Sequence, residues 1–186
     1  MKQSLHLFSA LAAGAALFAG ARGAAADTMV IRHPGDHPSY SFEAEPHLLL
    51  GFIDPPGPAG GSGLGVGFRG TVPLVKNGFV SSINNSVGIG FGLDWLRYGH
   101  GYEDRNERYD VNYAFIPVVM QWNFFLSRQW SVFGEPGVAF HFVNHGPDAF
   151  DPFVLYLGGR WHFTERVTLT MRLGYPAFSV GVSFLL

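Results

Sequence analysis

Hydrophobic side chains recur at every second position through most of the sequence, and the register is cleanest at the C-terminal end. Phe178, Val180, Val182, Phe184 and Leu186 share one face there, with Ser179, Gly181 and Ser183 on the other. Val167, Leu169, Met171 and Leu173 alternate in the same way with Thr168, Thr170, Arg172 and Gly174. Upstream, Phe153, Leu155, Leu157 and Trp161 oppose Val154, Tyr156, Gly158, Arg160 and His162, while Val132, Val138, Phe140 and Phe142 oppose Glu135, Gly137, Ala139 and His141. Ile116, Val118, Met120, Trp122 and Phe124 oppose Gln121 and Asn123. Val87, Ile89, Phe91, Leu93 and Trp95 oppose Ser86, Gly88, Gly90, Gly92 and Asp94. Leu64, Val66, Phe68, Val72 and Leu74 oppose Gly63, Gly65, Gly67, Arg69 and Thr71. Phe42, Ala44, Leu48 and Leu50 oppose Glu43, Glu45 and His47. A period of two is that of a strand and not of a helix. The pattern predicts eight strands.

The polar faces decide which way a closed sheet of these strands is turned. They consist of Gly, Ser, Arg and Glu, too small and sparse to coat a soluble protein. The opposite faces are almost wholly aliphatic and aromatic. Each run has about 9–13 residues, enough for a tilted strand to cross a bilayer. Open strand edges cannot survive in hydrocarbon, so the expected architecture is an all-β, eight-stranded antiparallel up-and-down transmembrane barrel with its polar face inside. A soluble periplasmic ligand-binding barrel would need the reverse.

The connecting segments orient the barrel. Inner links are expected at residues 76–85, 126–130 and 164–166, and outer links at 53–62, 99–110, 144–152 and 175–177. Short inner turns and longer outer loops are usual in such barrels. Trp122, Phe124, Phe125, Trp130, Trp161 and Phe163 are assigned to an inner aromatic girdle, and Trp95, Tyr98, Tyr113, Phe153 and Tyr175 to an outer one.

The start of the chain is read apart from the fold. Lys2, the apolar stretch from Leu5 to Phe18 and Ala24-Ala25-Ala26 have the form of a signal peptide over residues 1–26, followed by a flexible leader at 27–38 and the barrel at 39–186. Removal of Lys2 and Arg22 with the signal peptide takes the net charge from -2 to -4. The absence of cysteine suits export, because an oxidising compartment punishes unpaired thiols. With charged residues at only 14% and no basic field, a nucleic-acid partner is not expected.

Together, the signal peptide, the eight alternating segments and the in-phase last strand resemble the small bacterial outer-membrane barrels of the OmpX and OmpA membrane-domain type. The resemblance covers residues 39–186 and rests on pattern. It implies location in the bacterial outer membrane, contact with outer-membrane lipids and lipopolysaccharide, a monomeric state, and recognition of the last strand by the barrel-assembly machinery. That strand usually ends in an aromatic residue in this group; here Phe184 is in phase and Leu186 is terminal.

Candidate chemistry falls into two sets. Glu43, Glu45, Arg69, Asp94, Glu135, His141, Arg160 and Arg172 lie on inward faces and are expected to form a polar network filling the lumen. Desolvated charges must be paired. Glu135 with Arg160, and Arg172 with Glu43 or Glu45, are the expected pairs. Arg97, Tyr102, Arg105, Arg108 and Tyr109 form the outer-loop set, suited to adhesion or to lipopolysaccharide phosphates. Gly65-x-Gly67-x-x-Gly70 matches a dinucleotide fingerprint in letters only, since alternation continues through Val72 with no helix to hold a pyrophosphate. No catalytic, cofactor or metal set is expected. The reading is a non-enzymatic barrel with a structural or surface-interaction role; a lipid A-modifying enzyme, which would need a Ser–His–acid set, and a small-solute pore are the alternatives.

Overall fold

The computed structural model describes residues 29–51, 61–102, 108–144 and 148–186. The expected signal peptide, most of the outer link at 53–62, Arg105 and His145 lie outside the described residues. Eight strands follow one another in chain order: β1 (Glu43–Gly51), β2 (Gly63–Val75), β3 (Asn85–Tyr102), β4 (Arg108–Phe125), β5 (Trp130–Val143), β6 (Ala149–His162), β7 (Val167–Gly174) and β8 (Phe178–Leu185). Each pairs antiparallel with its neighbour, and β1 pairs with β8 to close the barrel, with Leu48 opposite Val180 and His47 opposite Gly181.

Exposure alternates along most of the described strand residues, broken at Arg69–Thr71 and near the β6 bulge, with its sense inverted relative to a soluble protein. Leu64 and Phe153 are 68% and 69% exposed, whereas Gln121 and Glu135 are fully buried at 0%. The core is therefore the lumen. Its lower half, toward the end where residues 29–42 and Leu186 lie, is lined by Ser86, Asn123, Ser131, Thr168, Thr170 and Ser183. Its upper half is apolar: Leu49, Leu96, Tyr98, Val111, Tyr113, Phe115, Val154 and Tyr156 are all buried in one cluster. The expectation of a bore polar throughout is thus corrected. The same inward register that carries Asp94 continues to Leu96 and Tyr98, where the side chains change character.

Two connections differ from expectation. The hairpin expected as a loop over residues 99–110 is largely ladder, because Gly101 pairs with Tyr109 and Tyr102 with Arg108 beyond a register shift. The long inner link, residues 76–84, is folded by the buried side chain of Asn85. Its Nδ2 donates to the carbonyls of Asn77, Val80 and Ile83, and its Oδ1 accepts from Trp122 Nε1 at 3.0 Å. Gly78 sits against this amide at φ +53°, a left-handed conformation in which a side chain would strike Asn85.

Residues 29–42, which include most of the expected flexible leader, lie across the inner end as a strap. Val30 is 1% exposed and its amide donates to Leu126 O. Asn84 N donates to Ile31 O, and Ser41 N and Phe42 N donate to Leu186 O. Backbone groups make these bonds, so no side-chain pattern announced them.

Candidate functional site

Seven side chains from six strands meet around Arg172. This arginine reaches from β7 to two carboxylates at once: Nη1 and Nη2 donate to Glu45 of β1 at 2.7 and 3.0 Å, and Nε and Nη2 donate to Glu135 of β5 at 2.8 and 3.2 Å. Such two-pronged pairing holds a guanidinium in one orientation as well as neutralising it. Arg69 of β2 donates to Glu135 at 3.4 Å and to Asp94 of β3 at 3.3 Å. His47 joins Asp94 to Glu45, with Nε2 at 2.9 Å and Nδ1 at 3.5 Å from the respective carboxylates. Gln121 and Ser183 donate to Glu135 and Glu45.

Below this centre, Arg160 of β6 holds Glu43 of β1 through Nη2 at 2.7 and 3.0 Å, and its guanidinium lies 4.4 Å from the Phe133 ring centroid. The expected Arg160–Glu135 pair is not made. Glu135 sits opposite Tyr156 in the ladder, four residues from Arg160 along β6, or about 13 Å at the rise of a strand. Of the two acids expected within reach of Arg172, it takes Glu45, leaving Glu43 to Arg160.

His141 stands apart from the network to which the sequence assigned it. Gly137 and Ala139 intervene along β5, and Tyr113 and Phe115 pack against its ring at 5.2 and 5.4 Å. It lies at the outer mouth, where Nδ1 is 3.0 Å from Asp151 Oδ2. Sequence reading missed Asp151 because of a bulge: Gly137 pairs with Val154, but Ala139 pairs with Asp151, so β6 carries one extra residue and its inward parity changes.

Glycine makes room for the network. A Cβ on Gly67 would strike both His47 Nε2 and Asp94 Oδ1, whereas one on Gly159 would meet nothing nearer than Ser131 O at 3.8 Å. Gly67→Val is therefore expected to lower stability by about 1–3 kcal/mol through overpacking. Gly159→Val should lie within about 0.5 kcal/mol of the unmodified chain. Urea titration read by the electrophoretic shift between folded and unfolded bands separates the two.

The exterior is banded. At the inner end Trp130 and Trp161 stack at 6.1 Å, Trp161 meets Phe163 at 4.8 Å, and Trp122 meets Phe124 at 4.9 Å. At the outer end Phe140 and Phe150 pack at 4.9 Å beside exposed Trp95 and Phe153. Tyr98 and Tyr113, expected in that outer girdle, are buried in the lumen, and Phe125, expected in the inner girdle, is also inward. Trp95 and Tyr98 are three residues apart, which in a strand means opposite faces. Apolar bands flanked by aromatic rings around a closed sheet are the outer surface that a bilayer requires.

This is a closed eight-stranded β-barrel with the exterior of a membrane-spanning one. No family profile matches its sequence, and no curated protein matches it. Among solved structures it is similar to the Yersinia pestis outer membrane protein Ail, determined in a phospholipid bilayer nanodisc. The two share 9% identity over 77% of this chain and 99% of that chain, with a TM-score of 0.44.

Of the outer-loop set, Arg97 is described fully. Its Nε donates to Asp110 Oδ2 at 3.1 Å and its Nη2 also contacts that oxygen; both side chains are exposed, so the pair contributes little to stability. Tyr102, Arg108 and Tyr109 lie in the β3–β4 hairpin beyond the register shift. Arg105 is outside the described residues.

Proposed function

We propose that the protein is a sealed, non-catalytic barrel that serves the envelope structurally and through its outer surface, in adhesion or lipopolysaccharide contact. The supporting observation is the filling of the lumen: the ion-paired centre lies beneath a layer of buried Tyr, Phe, Leu and Val side chains. Between the two, the space lined by Leu49, Arg69, Asp94, Tyr156, Arg172 and Ser179 amounts to about 10 Å³, room for one water and for neither a solute nor an acyl chain. Against a lipid-modifying activity, the Ser131 Oγ–His162 Nε2 pair at 2.9 Å is buried and His162 Nδ1 meets no acid, while His141 pairs with Asp151 and, among the described residues, with no serine or threonine.

On this reading the chain acts as a monomer, with residues 1–26 removed on export and the last strand read by the assembly machinery. Outer-membrane phospholipid surrounds it, and lipopolysaccharide phosphates meet Arg97, Arg105 and Arg108, with Tyr102 and Tyr109 beside them. The test pairs two assays on purified, refolded protein. Planar bilayers should show no single-channel steps in concentrated potassium chloride. Cosedimentation with lipopolysaccharide-containing liposomes should be lost when Arg105 and Arg108 are both changed to Gln, with the folded band retained. Ion conduction by the unmodified chain, or undiminished cosedimentation of the variant, would overturn the reading.

A further inference from the structure

The strap over the inner end is held at its centre by two side chains: Asn84 Nδ2 donates to Asp36 O at 2.7 Å, and next to it stands the His37 imidazole. The His37 ring lies flat on Phe125, with centroids 4.5 Å apart and planes 8° from parallel. Its Nε2 is 2.8 Å from the carbonyl oxygen of Lys76 in the long inner link, and its Nδ1 is 3.0 Å from the carbonyl oxygen of Pro38. Both partners are acceptors with no hydrogen to give. A neutral imidazole carries one N–H and one bare lone pair, so it satisfies one carbonyl and turns a lone pair toward the other. The imidazolium donates to both.

We propose that doubly protonated His37 is a latch, and that loss of one proton as the pH rises loosens the strap at the inner end of the barrel, leaving its main-chain anchors and the Asn84–Asp36 bond to hold it more weakly. The charged neighbours leave this role to the two carbonyls. Lys76 presents its carbonyl from the link, its ammonium group being on an exposed residue. On the strap itself, Asp36 and His33 are exposed. Phe125 comes from β4, and beyond it on β6 the His162 ring is 6.3 Å from Phe125. Among the described residues no carboxylate pairs with His37, so the latch rests on hydrogen bonds to the protonated ring and not on an ion pair.

What the latch controls is access from the inner side. Between His37 and β1 the strap carries Tyr40 close to Glu43 and Arg160; burial first, and then the Glu43 charge, push its phenol well above the usual range. Above Tyr40 lies the polar lower half of the lumen, whose hydroxyls run from Thr168 through Thr170 and Ser183 to Glu45. A fastened strap closes this hydrogen-bonded column at its inner end, and a loosened one opens it to periplasmic water.

Amide hydrogen exchange on the complete folded barrel in detergent micelles tests this, compared at about pH 5.5 and about pH 8, on either side of the imidazole range, and corrected for intrinsic exchange rates. The reporters are the amides of Val30, Ser41 and Asn84, which donate to Leu126, Leu186 and Ile31. Their protection should fall roughly five- to ten-fold at the higher pH, the loss expected for about one hydrogen bond. Val118, in mid-ladder, should not change. His37→Phe keeps the ring stack and supplies neither N–H, so its strap should show the weaker protection at both pH values; His33→Gln should behave as the unmodified chain. Equal protection at the two pH values in the unmodified chain, or a pH dependence that survives His37→Phe, would overturn the latch. Should His37→Phe not fold, ring nitrogen NMR of the unmodified chain decides: two N–H signals from His37 at the lower pH are expected, and a bare ring nitrogen there would refute it. The outcome is independent of what the outer surface binds.

Discussion

Arg172→Met should destabilise the barrel by about 3–5 kcal/mol, the cost of leaving buried charge without its partner. Arg172 makes four donor contacts to Glu45 and Glu135, and all three side chains are almost wholly buried. Arg69 can still answer Glu135 at 3.4 Å, but Glu45 keeps only His47 and the Ser183 hydroxyl. The readout is the urea midpoint of the folded electrophoretic band. A triple variant, Arg172→Met with Glu45→Gln and Glu135→Gln, separates charge from packing. Removing the carboxylate charges along with the guanidinium should recover much of the loss, because an uncompensated ion costs more than an absent pair. An Arg172→Met midpoint equal to that of the unmodified chain would refute the assignment of the lumen centre as an ion-paired plug.

The second large effect belongs to the opposite face of the same strands. Leu155, Phe91 and Val180 lie near mid-strand and outward, with Leu155 and Phe91 46% and 45% exposed. In a soluble protein an arginine at a half-exposed position is tolerated. Here each of Leu155→Arg, Phe91→Arg and Val180→Arg should cost about 2–4 kcal/mol, because the guanidinium must sit at the bilayer midplane or drag water to it. The same substitution at Phe163, in the inner aromatic band, should cost about 0–1 kcal/mol. Reversible urea titrations in phosphatidylcholine vesicles supply the comparison, and a flat profile with depth would mean that this surface does not face lipid.

The two predictions rest on features of unequal legibility. Which face a side chain occupies follows from parity, so Glu45, Arg69, Asp94 and Arg172 could be placed inside by counting. Parity does not say which inward residues meet. Ladder neighbours suggested Glu135 for Arg160, whereas the partner is Glu43, separated by 117 residues and reached across the lumen from β1. Such contacts depend on the height of each residue in a tilted, closed sheet, which no single strand encodes. Parity also fails silently at a bulge, as it did for Asp151. It was misapplied, not absent, where Tyr98 was grouped with Trp95 as a girdle. The apolar upper half of the lumen is legible in the continuation of the inward register to Leu96, Val111, Tyr113 and Phe115. The strap was the least legible of all, since many of its anchoring bonds are main-chain and the side-chain ones, from His37, Ser41 and Asn84, join residues far apart in sequence.

The strap also fixes an order of events. Ser41 N, Phe42 N and Ser41 Oγ all donate to the carbonyl oxygen of Leu186, just past β8, and Leu186 N donates back to Phe42 O. The two ends of the barrel sequence thus clasp one another just outside the β1–β8 seam. Residues near the start of the barrel segment emerge early in synthesis, yet their anchorage does not exist until β8 and Leu186 have arrived beside β1. Whatever holds the last strand during insertion therefore holds the clasp open as well. Its closing marks the completed barrel, a signal of timing written into the first and last residues of the fold.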